Sequence, residues 1–180
     1  MRRREFNTFF GGVAVTWALA VRAQQPRKIP RIGYLGLGSP STYAYLVEAL
    51  RAGLSEVGYV DGSNVIIEFR WSYNPDELTR FATEFVTMNV DAIFASASTH
   101  VEAARQVTSK IPIIFAAHAD PVGLGHIASL SRPGGNITGV SMLLTELSAK
   151  ELELLKEVIP HARRVGVLWN PTTPSHPLAL

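Results

Sequence analysis

From Pro30 onward, short apolar runs alternate with longer segments whose apolar residues recur at helical spacing. The short runs are rich in the branched and aromatic residues that favour β-strands. Such alternation is typical of a parallel sheet with helices packed on its faces, so the chain predicts an α/β fold. The predicted strands are Ile32–Leu35, Val65–Trp71, Ala92–Ala95 and Ile111–Ala116, followed by a short extended segment at Ile137–Ser141 and a last strand at Arg164–Trp169.

Helices are predicted between these strands. The first is ended by Gly58, and the second begins with Asn74 as N-cap and Pro75 at the first helical position, with Glu77 reaching back. The predicted buried face of the first helix is Leu46, Val47, Leu50, Leu54 and Val57, and that of the second is Leu78, Phe81, Ala82, Phe85 and Val86.

Three more helix starts are predicted from local signals. Thr99 and Glu102 have the spacing of a capping box for a helix that ends near Thr108. A short helix is expected at His126–Leu130. A second capping box, Ser148 with Glu151, is expected to open a helix that runs to Ile159, with Leu147 and Leu152 as a hydrophobic staple.

The first residues have the order of an export signal. Arg2–Arg4 precede an apolar stretch from Phe9 to Val21, which ends at Val21-Arg22-Ala23; we expect cleavage after Ala23, with an uncleaved membrane anchor as the alternative. The stretch is short of the roughly 20 residues that a membrane-spanning helix needs. Arg3 and Arg4 followed by Glu5-Phe6 also match the core of a twin-arginine signal, with the general secretory route as the alternative. We therefore expect a periplasmic protein.

Composition excludes several classes of protein. The chain has 47% hydrophobic residues and no cysteine, so we expect a packed core without disulfides or thiolate chemistry. Four of its 17 basic residues and one of its 15 acidic residues lie in the first 23 positions, leaving 13 basic and 14 acidic residues. A nearly neutral chain gives no support to nucleic-acid binding, which needs a basic surface.

Several segments in fixed order carry a resemblance to a known family. They are Arg3–Phe6 with Ala23–Pro26, Ile32–Gly36, Gly58–Val65, Ile111–Phe115, Asp120–Val122, Arg132–Ser141 and Val167–Pro171. With these segments the chain resembles the substrate-binding proteins of bacterial ABC importers, in the tryptophan- and tyrosine-type branch. The resemblance implies a two-lobed fold of the type I periplasmic binding protein kind, with a solute held in the cleft between lobes that close by a hinge.

The resemblance also implies a domain organisation. We expect a signal peptide at 1–23, a first α/β lobe at 24–141, the truncated start of a second lobe at 142–171, and a disordered tail at 172–180. A complete second lobe needs roughly 100 more residues. We therefore expect a truncated chain that can self-associate through its incomplete second lobe. A full-length protein would bind a small solute, such as an amino acid, and an ABC permease in the inner membrane.

Candidate binding residues follow the strands, because open parallel sheets bind ligands beyond the carboxyl ends of their strands. They are Gly38, Ser39, Tyr43, Ser98, Thr99, His118, Asp120 and Asn170. Gly38 would allow close backbone approach, and the hydroxyls stand where helix N-termini accept a carboxylate. For Ser39 and Thr99, helix capping is the alternative role.

The other candidates have alternatives too. Asp120 suits either a substrate ammonium group or the turn before Pro121. His118 suits a ligand hydrogen bond or a purely structural place. Tyr43 is the aromatic residue expected nearest the cleft, either there or in the core. Asn170 would come from the second lobe.

No enzyme or cofactor is predicted. The segment Gly36–Ser41 follows a strand, but it lacks the third glycine of a dinucleotide fingerprint and Pro40 interrupts it. The five histidines are too scattered for a zinc site, and no Gly-x-Ser-x-Gly nucleophile motif occurs. The remaining alternative to an importer component is a sensor lobe that presents a solute to a membrane receptor.

Overall fold

Five parallel strands form the sheet in this computed structural model, which describes residues 28–168 and residue 170. The elements follow one another as β1 (Arg31–Leu37), α1 (Ala44–Glu56), β2 (Ile66–Ser72), α2 (Pro75–Thr87), β3 (Ala92–Ala95), α3 (Ser98–Val107), β4 (Ile113–His118), β5 (Ile137–Ser141) and α4 (Leu144–Val158). The strand order is β2-β1-β3-β4-β5, with every pairing parallel. The predicted α/β fold with a parallel sheet is therefore confirmed.

The two faces of the sheet carry different cores. One core packs α2 and α3 against the sheet and contains fully buried aliphatic and aromatic side chains, including Leu35, Phe85, Ile93, Val101 and Phe115. The other lies beneath α1, and its main components are Tyr34, Val47, Ile67, Phe69 and Phe94. Since α1 and the pair α2–α3 occupy opposite faces, the loops after β1 and β3 leave the sheet in opposite directions.

An aromatic cluster fills the space under α1. The ring of Tyr34 stacks on Phe94 with centroids 5.1 Å apart and lies 5.2 Å from Phe69 and 5.1 Å from Trp71. Tyr34 is only 1% exposed, and burial raises the pKa of its hydroxyl. Large rings between helix and sheet fill the core that a single helix covers.

The cap of α2 and the buried face of α1 agree in part with the predictions from sequence. Asn74 caps α2 by accepting the N–H of Asp76, as predicted. Glu77 does not reach back to the cap directly but accepts the hydroxyl of Ser72, which in turn accepts the N–H of Asn74. In α1 the buried face is narrower than predicted, because only Val47 is buried. Leu46 and Val57, predicted to be buried, are exposed.

The predicted capping box of α3 is wrong. Ala97 is the N-cap, no side chain caps the helix, and Thr99 lies within it. Glu102 turns toward Arg105, Gln106 and the distant His126 instead of the helix start. A long-range partner has therefore replaced the local one.

The capping box predicted for α4 is also wrong. The helix begins at Leu144, after Leu143 in a left-handed conformation at φ 51°, and its first N–H donates to the carbonyl of Ala119. Ser148 lies inside the helix and donates its hydroxyl to the carbonyl of Leu144. The chain thus enters α4 from a contact with the loop after β4.

Two other predicted elements do not form. Residues His126–Leu130 are bends and irregular chain, and the N–H groups of His126 and Ile127 both donate to the carbonyl of Pro121, which ties this segment to the preceding turn. Residues 164–168 form no strand, and Leu168 is fully exposed. A strand needs a partner for its backbone groups, and no described strand pairs with this segment.

Some predictions fall outside the described residues. These are the signal sequence with its cleavage site, Trp169, and the tail at 172–180. Among the helices that the structure does describe, none combines the length and apolarity needed to cross a membrane.

Candidate functional site

The candidate site lies where the direction of strand winding reverses. The chain passes from β1 through α1 to β2 on one side, and then returns through α2 to β3 on the other side of β1. The loops after β1 and β3 therefore diverge at the carboxyl edge of the sheet. Open α/β sheets have a crevice at this point, and it is the usual place for a ligand.

The loop after β1 supplies backbone and hydroxyl groups. Gly38 adopts φ +70°, a conformation that side chains rarely permit, and its N–H lies 3.4 Å from the carbonyl of Ser72. The Ser39 hydroxyl lies 3.2 Å from that of Ser41 and 3.0 Å from that of Thr42. Ser39 is not the cap of α1, because Tyr43 holds that position. Its alternative role as a cap is therefore wrong.

Two tyrosines stand beside this loop. A Cβ added to Gly38 would lie 2.2 Å from the Tyr73 hydroxyl, so the glycine is needed for Tyr73 to take its place. Tyr43 is hydrogen-bonded to Tyr73, which raises the pKa of Tyr43. Tyr73 is 65% exposed and directly follows β2. Together the two rings offer an aromatic surface at the β1–β2 end of the carboxyl edge.

A buried chain of four hydrogen-bonded side chains lies at the β3–β4 end. Ser98 Oγ is 3.3 Å from His118 Nδ1, His118 Nε2 is 2.7 Å from His126 Nδ1, and His126 Nε2 is 2.9 Å from Glu102 Oε2. The backbone N–H of Ala119 donates to Ser98 Oγ at 3.1 Å. We call this set, Ser98–His118–His126–Glu102, the histidine relay.

The relay has one consistent proton arrangement. The pKa of Glu102 falls to about 2: burial alone would raise it, but hydrogen bonds from Arg105, Gln106 and His126 favour the ionised form. An ionised carboxylate only accepts, so His126 Nε2 donates to Glu102 and His126 Nδ1 accepts from His118. His118 Nδ1 then accepts the hydroxyl hydrogen of Ser98.

Both histidines of the relay are neutral at physiological pH. Burial lowers the pKa of His118 to about 4, and the adjacent His126 adds to this effect. Burial also lowers the pKa of His126, against the opposing influence of Glu102. This arrangement resembles a catalytic triad only in its order of groups, because the Ser98 hydroxyl is buried and already accepts from Ala119.

The loop after β4 carries Asp120 beside the relay. Asp120 Oδ1 accepts the N–H of Gly123 at 2.7 Å, so its role in the turn is observed. A Cβ on Gly123 would clash with the Asp120 carboxylate, so a larger residue there would require the Asp120 side chain to move. The turn role leaves the ammonium-binding role of Asp120 open, since a carboxylate accepts several hydrogen bonds.

The remaining candidates differ in their placement. Thr99 is half-buried in the first turn of α3, next to Ser98. Asn170 lies after α4 in exposed chain and does not follow a strand, because 164–168 form none. The carboxyl edge thus receives seven of the eight predicted residues, and Asn170 is not placed there by a strand.

Sequence reasoning missed three residues of this region. Tyr73 directly follows a predicted strand, which was a sufficient signal that the loop after β2 belongs with the others. His126 was assigned to a helix that does not form, and Glu102 to a cap. Their partnership joins residues 24 positions apart and could not be read from local spacing.

Other concavities lie away from this edge. One of about 460 Å³ is lined by residues such as Pro30, Tyr59 and Asn64, which lie before β1 and β2, at the amino-terminal edge of the sheet. One of about 360 Å³ lies between α1 and β2, lined by Arg51, Phe69 and Trp71 among others. In the part of the chain that the structure describes, no group of three or more His, Asp or Glu side chains is arranged so that it could hold a metal ion.

Comparison with known proteins identifies relatives among curated proteins and solved structures. A curated tyrosine-binding protein of Clostridioides difficile (strain R20291) is 40% identical over 118 residues, which are 65% of this chain and 34% of the relative. A solved conserved domain protein from Vibrio cholerae is 30% identical with a TM-score of 0.70, over 80% of this chain and 48% of that one.

A solved ABC domain from Streptococcus pneumonia in complex with L-Trp is 27% identical with a TM-score of 0.69, again over 80% of this chain and 48% of that one. The chain therefore spans about a third of the curated relative and about half of each solved structure. The family model described as ABC transporter substrate binding protein matches residues 37–178, most of the chain. The chain thus belongs to the family of ABC transporter substrate binding proteins.

Proposed function

We propose that this chain provides half of the solute cleft of an extracytoplasmic substrate-binding component of an ABC importer, and that the solute is an amino acid with an aromatic ring. The main support is the carboxyl edge of the sheet, where the Thr99 hydroxyl and the Asp120 carboxylate lie at one end and the Ser39 hydroxyl with Tyr43 and Tyr73 at the other. This combination suits a solute that has an ammonium, a carboxylate and a ring. The relatives' names, one tyrosine-binding and one in complex with L-Trp, agree in kind.

The proposed roles follow from the chemistry of each group. Ser39 and Thr99 donate hydrogen bonds to the solute carboxylate, aided by the N–H groups at the start of α3. Asp120 accepts from the ammonium group. Tyr43 and Tyr73 contact the ring, and Gly38 keeps the backbone close to it. Asn170 would contribute from a second lobe that begins after residue 141, with the first lobe at 24–141.

A titration followed by NMR tests this directly, because it detects weak binding by a single lobe. The 15N-labelled chain is titrated with L-tryptophan and L-tyrosine, with an analogue of each that lacks the ammonium group, and with one that lacks the carboxylate. We expect amide shifts confined to the loops after β1, β3 and β4, and smaller shifts with both analogues. Shifts elsewhere, or none with either amino acid, would contradict the proposal.

The alternative of a sensor lobe uses the same binding edge but a different partner. An importer component must engage a permease, whereas a sensor lobe engages a receptor. Co-expression of the full-length protein with a candidate ABC permease, followed by transport of labelled L-tryptophan into vesicles, separates them. Solute-dependent uptake supports the importer, and binding without uptake supports the sensor.

Export is the part of the proposal that rests on the first residues. Residues 1–25 fused to a reporter that is active only outside the cytoplasm should deliver it to the periplasm. Replacing Arg3 and Arg4 by Lys should abolish delivery by the twin-arginine route. Unchanged delivery of that variant would instead favour the general secretory route.

Self-association is proposed through α4 and the residues after it. Leu152, Val158 and Ile159 are at least half exposed, and Leu147 nearly so. Apolar side chains grouped on one helix are normally covered by another surface. Sedimentation of the purified chain over a range of concentrations should therefore reveal dimers, and Leu152→Glu with Val158→Glu should suppress them. A concentration-independent monomer would contradict this part.

A further inference from the structure

The histidine relay connects three segments that are far apart in sequence. Ser98 and Glu102 lie in α3, His118 ends β4, and His126 lies in the loop between β4 and β5. His126 is 7% exposed although its loop contains no helix or strand. The side chain of a loop residue is thus held inside by its partners on β4 and α3.

The backbone N–H groups of this loop donate mainly to acceptors within the loop itself. The N–H groups of His126 and Ile127 donate to the Pro121 carbonyl, and that of Gly123 donates to Asp120. These bonds shape the turn, but they do not fix its position against α3. Ile127 packs in the same buried core as Val101 and Ala104 of α3, and the polar contacts that hold the loop there are the relay and the bond from Ala119 N–H to Ser98 Oγ.

We propose that His126 is a positioning residue of the candidate site, which holds the loop carrying Asp120 at a fixed place against the start of α3. The proposal rests on the proposed function, since the loop and the helix start are two walls of the same cleft. His126 acts through His118 and Glu102 and does not itself touch the solute.

The positioning depends on all hydrogen bonds of the relay being donated in the same direction, from Ser98 toward Glu102. Every ring nitrogen in the relay has a single partner, and the ionised Glu102 sets the direction for both histidines. A proton added to His126 would turn Nδ1 into a donor that faces the N–H of His118. His118 would then have to change tautomer, and the Ser98 hydroxyl would lose its acceptor.

Acid is therefore expected to release the loop. The charged or titratable groups that act on the two rings are Glu102 and Arg105 from α3, Asp120 from the loop, and the histidines themselves. Glu102 favours a proton on His126, whereas burial and Arg105 oppose it. Above the range in which these rings titrate, both histidines stay neutral, Glu102 stays ionised, and the loop stays in place.

The experiment measures ring tautomers and loop position in one sample. Long-range proton–nitrogen NMR of the 15N-labelled chain reports which ring nitrogen carries hydrogen, and amide shifts report the loop. In the wild type we expect hydrogen on Nε2 of both His118 and His126. In His126→Phe we expect a changed His118 tautomer, shifted amides from Ala119 to Gly123, and about tenfold weaker binding of L-tryptophan, as for one lost hydrogen bond.

Two further variants serve as controls. His126→Asn keeps a hydrogen-bond acceptor near the Nδ1 position and should recover much of the wild-type His118 tautomer and loop shifts. It also keeps the test valid if His126→Phe does not fold. His161→Phe makes the same chemical change at an exposed histidine after α4 and should leave both readouts unchanged.

Each outcome is decisive. A His126→Phe chain with wild-type amides from Ala119 to Gly123 overturns the positioning role, whatever happens to the tautomer. Shifted amides with unchanged affinity for L-tryptophan also overturn it, because the residue is then only structural. If the wild type binds neither amino acid, the proposed function fails, and the loop amides alone then decide whether His126 positions the loop.

Discussion

The hydroxyl oxygen of Ser98 accepts the backbone N–H of Ala119 at 3.1 Å, so the first residue of α3 is bound to the residue that follows β4. The same hydroxyl lies 3.3 Å from His118 Nδ1. Ser98 is 5% exposed, so these bonds are shielded from water. One buried hydroxyl thus joins the start of α3 to the end of β4 at the edge where a solute is expected to bind.

Removing this hydroxyl should destabilise the fold. In Ser98→Ala, the Ala119 N–H and His118 Nδ1 both lose a partner while buried. An unsatisfied buried polar group costs about 1–3 kcal/mol, so we expect the free energy of unfolding to fall by at least that much. Urea denaturation measures this free energy. The control is Ser55→Ala, at an exposed site in α1, whose free energy of unfolding should stay within about 0.5 kcal/mol of the wild-type value. Equal stability of the two variants would contradict the account of the relay.

The strand pattern could be predicted from sequence because it depends on local composition. The predicted strand Ala92–Ala95 has the same first and last residues as the observed β3. Asn74 and Pro75 mark the start of α2, as predicted. These features depend on short-range chemistry, namely apolar periodicity and a cap that binds two residues away. The edge of the sheet where the loops gather follows from the same alternation.

The two errors in helix capping have a common physical cause. Glu102 and Ser148 each match a local capping motif, but Glu102 binds His126 and α4 begins early because Leu144 N–H binds Ala119. In each case a contact between distant segments outweighed a local preference of about 1 kcal/mol. The relay could not be predicted, because its members become neighbours only when the sheet has formed.

Acid stability should depend on a third buried histidine, His100, which lies outside the relay. It is fully buried, and no hydrogen bond of acceptable geometry reaches its ring nitrogens, although the backbone of Gly36 and Ser72 favours its protonated form. Burial lowers its pKa from 6.5 to about 4. The unfolded chain therefore binds more protons between these values, and stability is lost as the pH falls from about 6.5 toward 4.

Replacing His100 by Leu should flatten this dependence. Each such histidine contributes up to about 1.4 kcal/mol per pH unit, and His118, with a pKa of about 4, contributes in the same direction. We expect His100→Leu to keep or raise the stability at pH 7 and to reduce the slope between pH 4 and 6.5. Urea denaturation at several pH values measures both. A slope equal to that of wild type would mean that His100 is not neutral in the fold.

Gly38 should resist substitution because of its backbone conformation and its neighbour. Gly38→Ala places a side chain at φ +70° and pushes the Tyr73 hydroxyl away from the loop. The conformational cost is about 1–2 kcal/mol. The matched control is Gly53→Ala, where a Cβ has open space within α1 and should stabilise by about 0.5–1 kcal/mol. Thermal or urea unfolding should therefore show a lower stability for Gly38→Ala and a higher stability for Gly53→Ala than for the wild type.

Asp120 allows its two roles to be separated, because Asn retains one and removes the other. Asp120→Asn keeps an oxygen that can accept the Gly123 N–H, which lies 2.7 Å from Oδ1, but it carries no charge. Asp120→Ala removes both the turn bond and the charge. If the carboxylate binds the ammonium group of the solute, both variants should bind L-tryptophan about ten- to a hundredfold more weakly, as for a charge-assisted hydrogen bond of about 1.5–3 kcal/mol. Only Asp120→Ala should also lower the free energy of unfolding, by about 1 kcal/mol, because it alone loses the turn bond.

The analogue of L-tryptophan without an ammonium group should bind both variants and the wild type almost equally. Asp120→Asn with wild-type affinity would assign the residue to the turn alone, and the ammonium partner would then have to be sought among other groups of the cleft.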